Sequence, residues 1–162
     1  LDALKMMGAD ITLSGERNVS VEPTGTILVR SSALCGAEFG GDVIPRMIDE
    51  IPALAVAAAF ADGDTVIRDA AELRVKESDR IASVSELLTG LGAAVQTSED
   101  AMVIRGGRGL SAGSSISHGD HRLAMAAAIA AAASNGESLV RDVDCVQTSF
   151  PSFKDIFDRI TS

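Results

Sequence analysis

The chain repeats itself, and the repeat restricts its possible folds more than any other feature. Ala3-Leu4-Lys5-Met6-Met7-Gly8-Ala9-Asp10-Ile11 aligns with Leu87-Leu88-Thr89-Gly90-Leu91-Gly92-Ala93-Ala94-Val95. Each copy reads as the end of an amphipathic helix, a glycine in a left-handed cap and then a strand. A second pair follows. Val66-Ile67-Arg68-Asp69 returns as Leu139-Val140-Arg141-Asp142, and Gly63 returns as Gly136. Ahead of each lies an Ala-rich helical stretch, 49–61 and 120–134. A spacing of 73 to 84 residues is too long for a solenoid and fits a duplicated α/β unit. One unit reads as helix, Gly-Ala turn, strand, second strand, loop, buried helix, glycine turn, strand and loop. The second strands fall at 19–22 and 102–105, each after a polar turn.

At 162 residues the chain fits one domain with a real core, and 46% apolar composition excludes disorder. The long apolar runs, 51–61 and 123–133, fall short of the roughly 20 residues that span a bilayer. They predict buried helices whose alanines permit close packing. No signal peptide is visible, and Cys35 and Cys145 predict reduced thiols in a cytosolic protein. Leu1-Asp2-Ala3-Leu4 is helical in pattern with no capping residue before it. A missing N-terminal part is therefore expected. The segment 153–160 reads as a short amphipathic helix with Phe153, Ile156, Phe157 and Ile160 on one face.

A formal charge of −9 and 3% aromatic content argue against nucleic-acid binding. An acidic protein that binds anions must concentrate its few cations, so the placement of Arg and Lys carries the functional signal. Three clusters stand out, each at an expected helix start. The first is Asp49-Glu50-Ile51-Pro52, where the proline suits a first turn and the acids complement the helix dipole. The second is Leu73-Arg74-Val75-Lys76-Glu77-Ser78-Asp79-Arg80-Ile81. A helix beginning near Ser78 brings Glu77 beside Arg80 and leaves Lys76 at its mouth, where free N–H groups favour anions. A solvated capping segment with internal ion pairs explains the same residues, and both readings stand at this point.

The third cluster is His118-Gly119-Asp120-His121-Arg122, leading into the second apolar run. Two histidines and an aspartate fall short of the three or four spaced ligands that zinc requires, so no metal is expected. Arg122 beside an apolar run wants an anion, because an unpaired buried charge is costly. Gly106-Gly107-Arg108-Gly109 lacks the spacing of a phosphate-binding loop and reads as a turn. Under the repeat, Asp49 and Arg122 are equivalent positions. All three clusters should then face one end of the fold and form a site for an anionic substrate that exchanges protons.

These clusters carry a family resemblance. Leu73-Arg74-Val75-Lys76-Glu77-Ser78-Asp79-Arg80 resembles the RxKE(S/T)DR signature of EPSP synthases (3-phosphoshikimate 1-carboxyvinyltransferases). Asp49-Glu50-Ile51-Pro52, Gly119-Asp120-His121-Arg122-Leu123-Ala124-Met125 and Thr148-Ser149-Phe150-Pro151 match in order and spacing. The resemblance covers the whole chain but only the C-terminal part of a full family member. It implies an α/β fold of repeated βαβαββ units, belonging to one domain of a two-domain inside-out α/β barrel. About two of that domain's three repeats would be present in residues 1–162.

The implied reaction moves the enolpyruvyl group of phosphoenolpyruvate to the 5-hydroxyl of shikimate 3-phosphate and releases phosphate, with no cofactor and no metal. By resemblance, Asp49 contacts the shikimate hydroxyl and acts as a base. Glu77 exchanges a proton with the methylene carbon, Lys76 lies on the shikimate-phosphate side, and Arg80 and Arg122 grip phosphoenolpyruvate. Asp120 and His121 match flanking residues. Thr148 stands where some members carry a Lys, which puts one phosphoenolpyruvate contact in doubt, and Glu72 stands where some place an Asn. The implied partners are the two substrates and the missing N-terminal part, with no nucleic acid and no membrane. The isolated chain should be inactive. Other readings are the sibling UDP-N-acetylglucosamine enolpyruvyl transferase, which the Lys76–Arg80 run disfavours, and a non-catalytic folded module.

Overall fold

A computed structural model of the chain describes residues 1–17 and 23–161. The first unit opens with the short helix α1 (Asp2–Met6) and turns at Gly8, whose φ of 93° only a glycine adopts cheaply. It continues as a hairpin of β1 (Asp10–Arg17) and β2 (Thr24–Arg30). Then come β3 (Glu38–Phe39), α2 (Val43–Met47), a 3₁₀ turn at Ile48–Glu50, α3 (Ile51–Phe60) and β4 (Asp64–Ile67). A second 3₁₀ turn, Ala71–Val75, leads into the next unit. That unit contains α4 (Arg80–Gly90), β5 (Ala94–Thr97), β6 (Met102–Arg105), β7 (Ser114–Ile116), α5 (His121–Ala133), β8 (Leu139–Arg141) and a 3₁₀ turn at Asp144–Thr148. Last is α6 (Phe153–Thr161).

The repeat holds in detail. Gly92 repeats the left-handed turn of Gly8, and Asp69 and Asp142 both take a φ of 60°, rare outside glycine. Each of these aspartates accepts a backbone N–H from a loop glycine, Asp69 from Gly41 and Asp142 from Gly119. The expected strand at 102–105 is β6. The expected strand at 19–22 lies outside the described residues, and the first hairpin instead closes with β2 further along. The pairing registers explain the shift. Asp10 opposite Arg30 corresponds to Ala94 opposite Arg105, so the first hairpin is longer and a fixed offset stops short of β2.

Helices lie inside and strands outside. α3 is apolar all round and mostly buried, the mark of an enclosed helix. α3, α4 and α5 pack on one another, with β5 to β8 against their outer sides. α4 turns Ile81, Val84, Leu87 and Leu88 into this core. The strands form three small sheets, ordered β1-β2, β3-β4-β6-β5 and β7-β8. Parallel β3–β4 and β7–β8 pairs flank α3 and α5, which makes each a β-α-β crossover.

Some expectations need correcting. The helix expected over 49–61 begins at Ile51, with Asp49 in the preceding 3₁₀ turn. The helix expected near Ser78 begins at Arg80, because Asp79 caps it by accepting the Ala82 N–H at 3.1 Å. The shared apolar face of α6 buries none of its residues; Phe153 stacks on Phe157, and Ile160 is exposed. Gly106 is more than a turn residue, since its backbone runs against the carbonyls of Ala58 and Ala61 where any side chain would collide. Among the described residues no helix is long and apolar enough to cross a membrane.

Candidate active site

The three clusters meet. The Ile48–Glu50 turn before α3, the loop before α4 and the first turn of α5 bring Asp49, Lys76, Glu77, Arg80, Asp120 and Arg122 into one network. Burying Arg80 required carboxylates from three separate elements. Its side chain has 0% exposure, yet it starts α4 and carries a full charge. Nε donates to Asp120 at 2.8 Å, one terminal nitrogen to Asp49 at 2.8 Å, and the other to Glu77 at 2.6 Å. The guanidinium therefore has a permanently neutralised inner edge and an outer edge covered by two carboxylates, each about half exposed.

Asp120 is the inner anchor. Its side chain is also completely buried, and it caps α5 by accepting the N–H groups of Arg122 and Leu123. Ser78 donates a further bond to it at 3.2 Å. Burial alone would raise the Asp120 carboxyl, but Arg80 and the two helix N–H groups outweigh that and hold it below the ordinary value. The Asp49 carboxyl is lowered too, first by its bond from Arg80, against some desolvation, and then by the charges of Arg122 and Lys76. Arg80 is stabilised as a cation because these bonds overcome its desolvation.

Arg122 and Lys76 form the more open cationic side. Arg122 donates to the Asp49 carbonyl at 3.1 Å and to Glu50 at 3.0 Å, so the two positions equated by the repeat touch directly. Lys76 lies 3.9 Å from Asp49 and 3.4 Å from Glu72. His121 is half-buried as the first residue of α5. Thr148 is exposed at the end of its 3₁₀ turn, with its hydroxyl donating to the Cys145 carbonyl at 2.7 Å. His118 reaches elsewhere, to Glu86 on α4 at 2.8 Å. Asp120, expected only as a flanking residue, is the buried anchor, and an Asp before an Ala-rich helix is a recognisable cap. Arg74, present in the motif but without an expected role, braces the loop through Asp79 and the Ser98 and Glu99 carbonyls.

Two half-exposed carboxylates, two more open cations and a fixed buried guanidinium are what an anionic substrate undergoing proton transfer requires. The family EPSP synthase (3-phosphoshikimate 1-carboxyvinyltransferase) matches residues 1–157.

This chain belongs to the EPSP synthase family.

Among its relatives, the 3-phosphoshikimate 1-carboxyvinyltransferase of Desulforudis audaxviator is 57% identical over 153 residues, which are 94% of this chain and 36% of that protein. The enzyme of the same name from Syntrophotalea carbinolica is 52% identical over 99% of this chain and 37% of its own length. The solved EPSP synthase of Acinetobacter baumannii superposes with a TM-score of 0.92 at 40% identity, over 98% of this chain and 37% of the other. The enolpyruvyl transferase NikO of Streptomyces tendae, at 20% identity and a TM-score of 0.73 over 98% of this chain and 34% of its own, shares the fold. The chain thus spans little more than a third of the length of these EPSP synthases.

Proposed function

We propose that this chain supplies one face of an active site that transfers the enolpyruvyl group of phosphoenolpyruvate to the 5-hydroxyl of shikimate 3-phosphate. The observation that carries this reading is Arg80, a buried guanidinium whose outer edge is held by Asp49 and Glu77. An incoming carboxylate or phosphate exchanges with those side chains on Arg80 and pairs with Arg122, while Lys76 faces the shikimate phosphate. The exchange frees the carboxylates to move protons. Asp49, kept ionised by its cations, takes the proton of the attacking hydroxyl as its oxygen bonds to the central enol carbon. Glu77 delivers a proton to the methylene carbon, giving a tetrahedral adduct. Glu77 then takes a proton back from the methyl group as the carbon–oxygen bond to phosphate breaks, and the proton held by Asp49 leaves with the phosphate, with Arg80 and Arg122 stabilising the shifting charge.

Arg80 therefore acts from a covered position, and a ligand reaches it only after Asp49 and Glu77 yield. His121 and Thr148 lie at the margin. In this reading residues 1–162 hold about two of three repeats of the domain built by both chain ends, and the remainder of the enzyme supplies the facing half of the site. The named relatives are bacterial, and two free thiols suit the cytoplasm. The test joins this chain to the remaining length of the Acinetobacter protein and measures phosphate release from both substrates. The joined protein should turn over and the 162-residue chain alone should not. A joined protein that folds but binds neither substrate overturns the proposal.

A further inference from the structure

Glu77 stands on a loop, and a loop by itself holds a side chain less accurately than a helix or strand does. A neighbouring turn braces this one. β5 and β6 are joined through residues 98–101, where the Ser98 N–H donates to the Ala101 carbonyl at 2.9 Å. Three successive carbonyls of that turn serve the loop. Ser98 and Glu99 each accept from the Arg74 guanidinium at 2.5 Å, and Asp100 accepts the Ala70 N–H at 2.8 Å. The base is rigid, since β6 lies between β4 and β5 and buries Met102 and Ile104. Arg74 also reaches forward. Its Nη1 donates to one Asp79 oxygen at 2.7 Å, while the other Asp79 oxygen caps α4 through the Ala82 N–H. Arg74 and Asp79 thus close the span 74–79, whose middle carries Lys76, Glu77 and Ser78. All of these partners lie in the described chain.

We infer that Arg74 is a positioning residue, which holds Glu77 in the network by tying its loop to the β5–β6 turn. A planar guanidinium meets acceptors in three directions at once, whereas a lysine has the charge without that geometry. The inference rests on the proton delivery proposed for Glu77. Arg122 stands on α5 and Arg80 is anchored on buried Asp120, so the grip on phosphoenolpyruvate does not ride on this clamp. Loosening it strikes proton delivery and spares anion binding.

Two measurements on Arg74→Lys, in this chain joined to the rest of a relative's length, test this, with circular dichroism and thermal melts confirming the fold. The first is amide hydrogen exchange, which needs no turnover. Peptides covering 75–79 should exchange about tenfold faster, while those covering 84–88 within α4 keep their rates. The second is steady-state kinetics. Here kcat should fall about tenfold or more, with the Michaelis constant for phosphoenolpyruvate within about twofold. In a Glu77→Gln background the same substitution should cost little further, because the group it positions is already gone. Unchanged exchange at 75–79 overturns the inference whatever the kinetics show. Equal acceleration throughout α4, or a kcat loss that multiplies fully with that of Glu77→Gln, marks a merely structural role and overturns it too. Faster exchange confined to 75–79 beside normal turnover by Glu77→Gln upholds the clamp and sinks the proposed role of Glu77 instead.

Discussion

Arg80 and Asp120 are the fully buried pair at the centre of the network. Without Asp120 the inner edge of Arg80 loses its countercharge while Asp49 and Glu77 still hold the outer edge, so the cost falls at or below the low end of the range for breaking a buried pair, about 3 kcal/mol. Asp120→Asn keeps the shape and part of the α5 cap but removes that charge, so chemical denaturation should show a loss of this order. The pH dependence has a defined sign. Asp120 and Asp49 have lowered pKa values in the folded chain, so their contribution to stability is complete above the unfolded value of about 4. It is lost as pH falls below that through the lower folded values. Asp120→Asn should therefore flatten the acid limb of the stability curve, and an unchanged limb would show that the pair does not support the fold. Arg80's enclosure was not legible in the sequence. Its position at a helix start reads as solvated, and the carboxylates that bury it come from residues 31 and 40 positions away.

Among the elements, what was legible had a local cause. The glycine turns at Gly8 and Gly92 and the Ala-rich α3 and α5 follow from periodicity and backbone chemistry. The equivalence of Asp49 and Arg122 came from the repeat alone and places them in contact. What escaped was short or non-local. β3 and β7 are too brief for alternation to show, and Pro45 inside α2 disguised that helix. α6 has a clear apolar face that the described chain leaves uncovered. Close approach between elements was equally hidden, as at Gly106 against the end of α3. Gly106→Ala should cost about 3 kcal/mol, since backbone rather than a movable side chain is in the way. Gly41→Ala provides the contrast. A Cβ there meets open space and suffers only the left-handed backbone, about 1–2 kcal/mol. Thermal melts that rank the two in reverse would contradict the packing of β6 on α3.

For the molecule as a whole, helices inside and strands outside bring the openings of three elements to one face. Residues from both repeats therefore form a single charged network. We propose that this network binds substrate and moves its protons rather than only capping helices. Steady-state kinetics of Glu77→Gln and Arg122→Ala, in this chain joined to the rest of a relative's length, test it most directly. Glu77→Gln retains shape but removes the transferable proton, so kcat should fall about a hundredfold or more with the Michaelis constant for phosphoenolpyruvate little changed. On the proposed function, Arg122→Ala removes a cation that binds the anion in ground and transition states alike. Arg122 is partly open to solvent and has cationic neighbours, so the loss should be near 2 kcal/mol, about thirtyfold, mainly in the Michaelis constant. Normal turnover by folded Glu77→Gln, or an unchanged Michaelis constant in folded Arg122→Ala, would contradict the account and leave the cluster a structural cap.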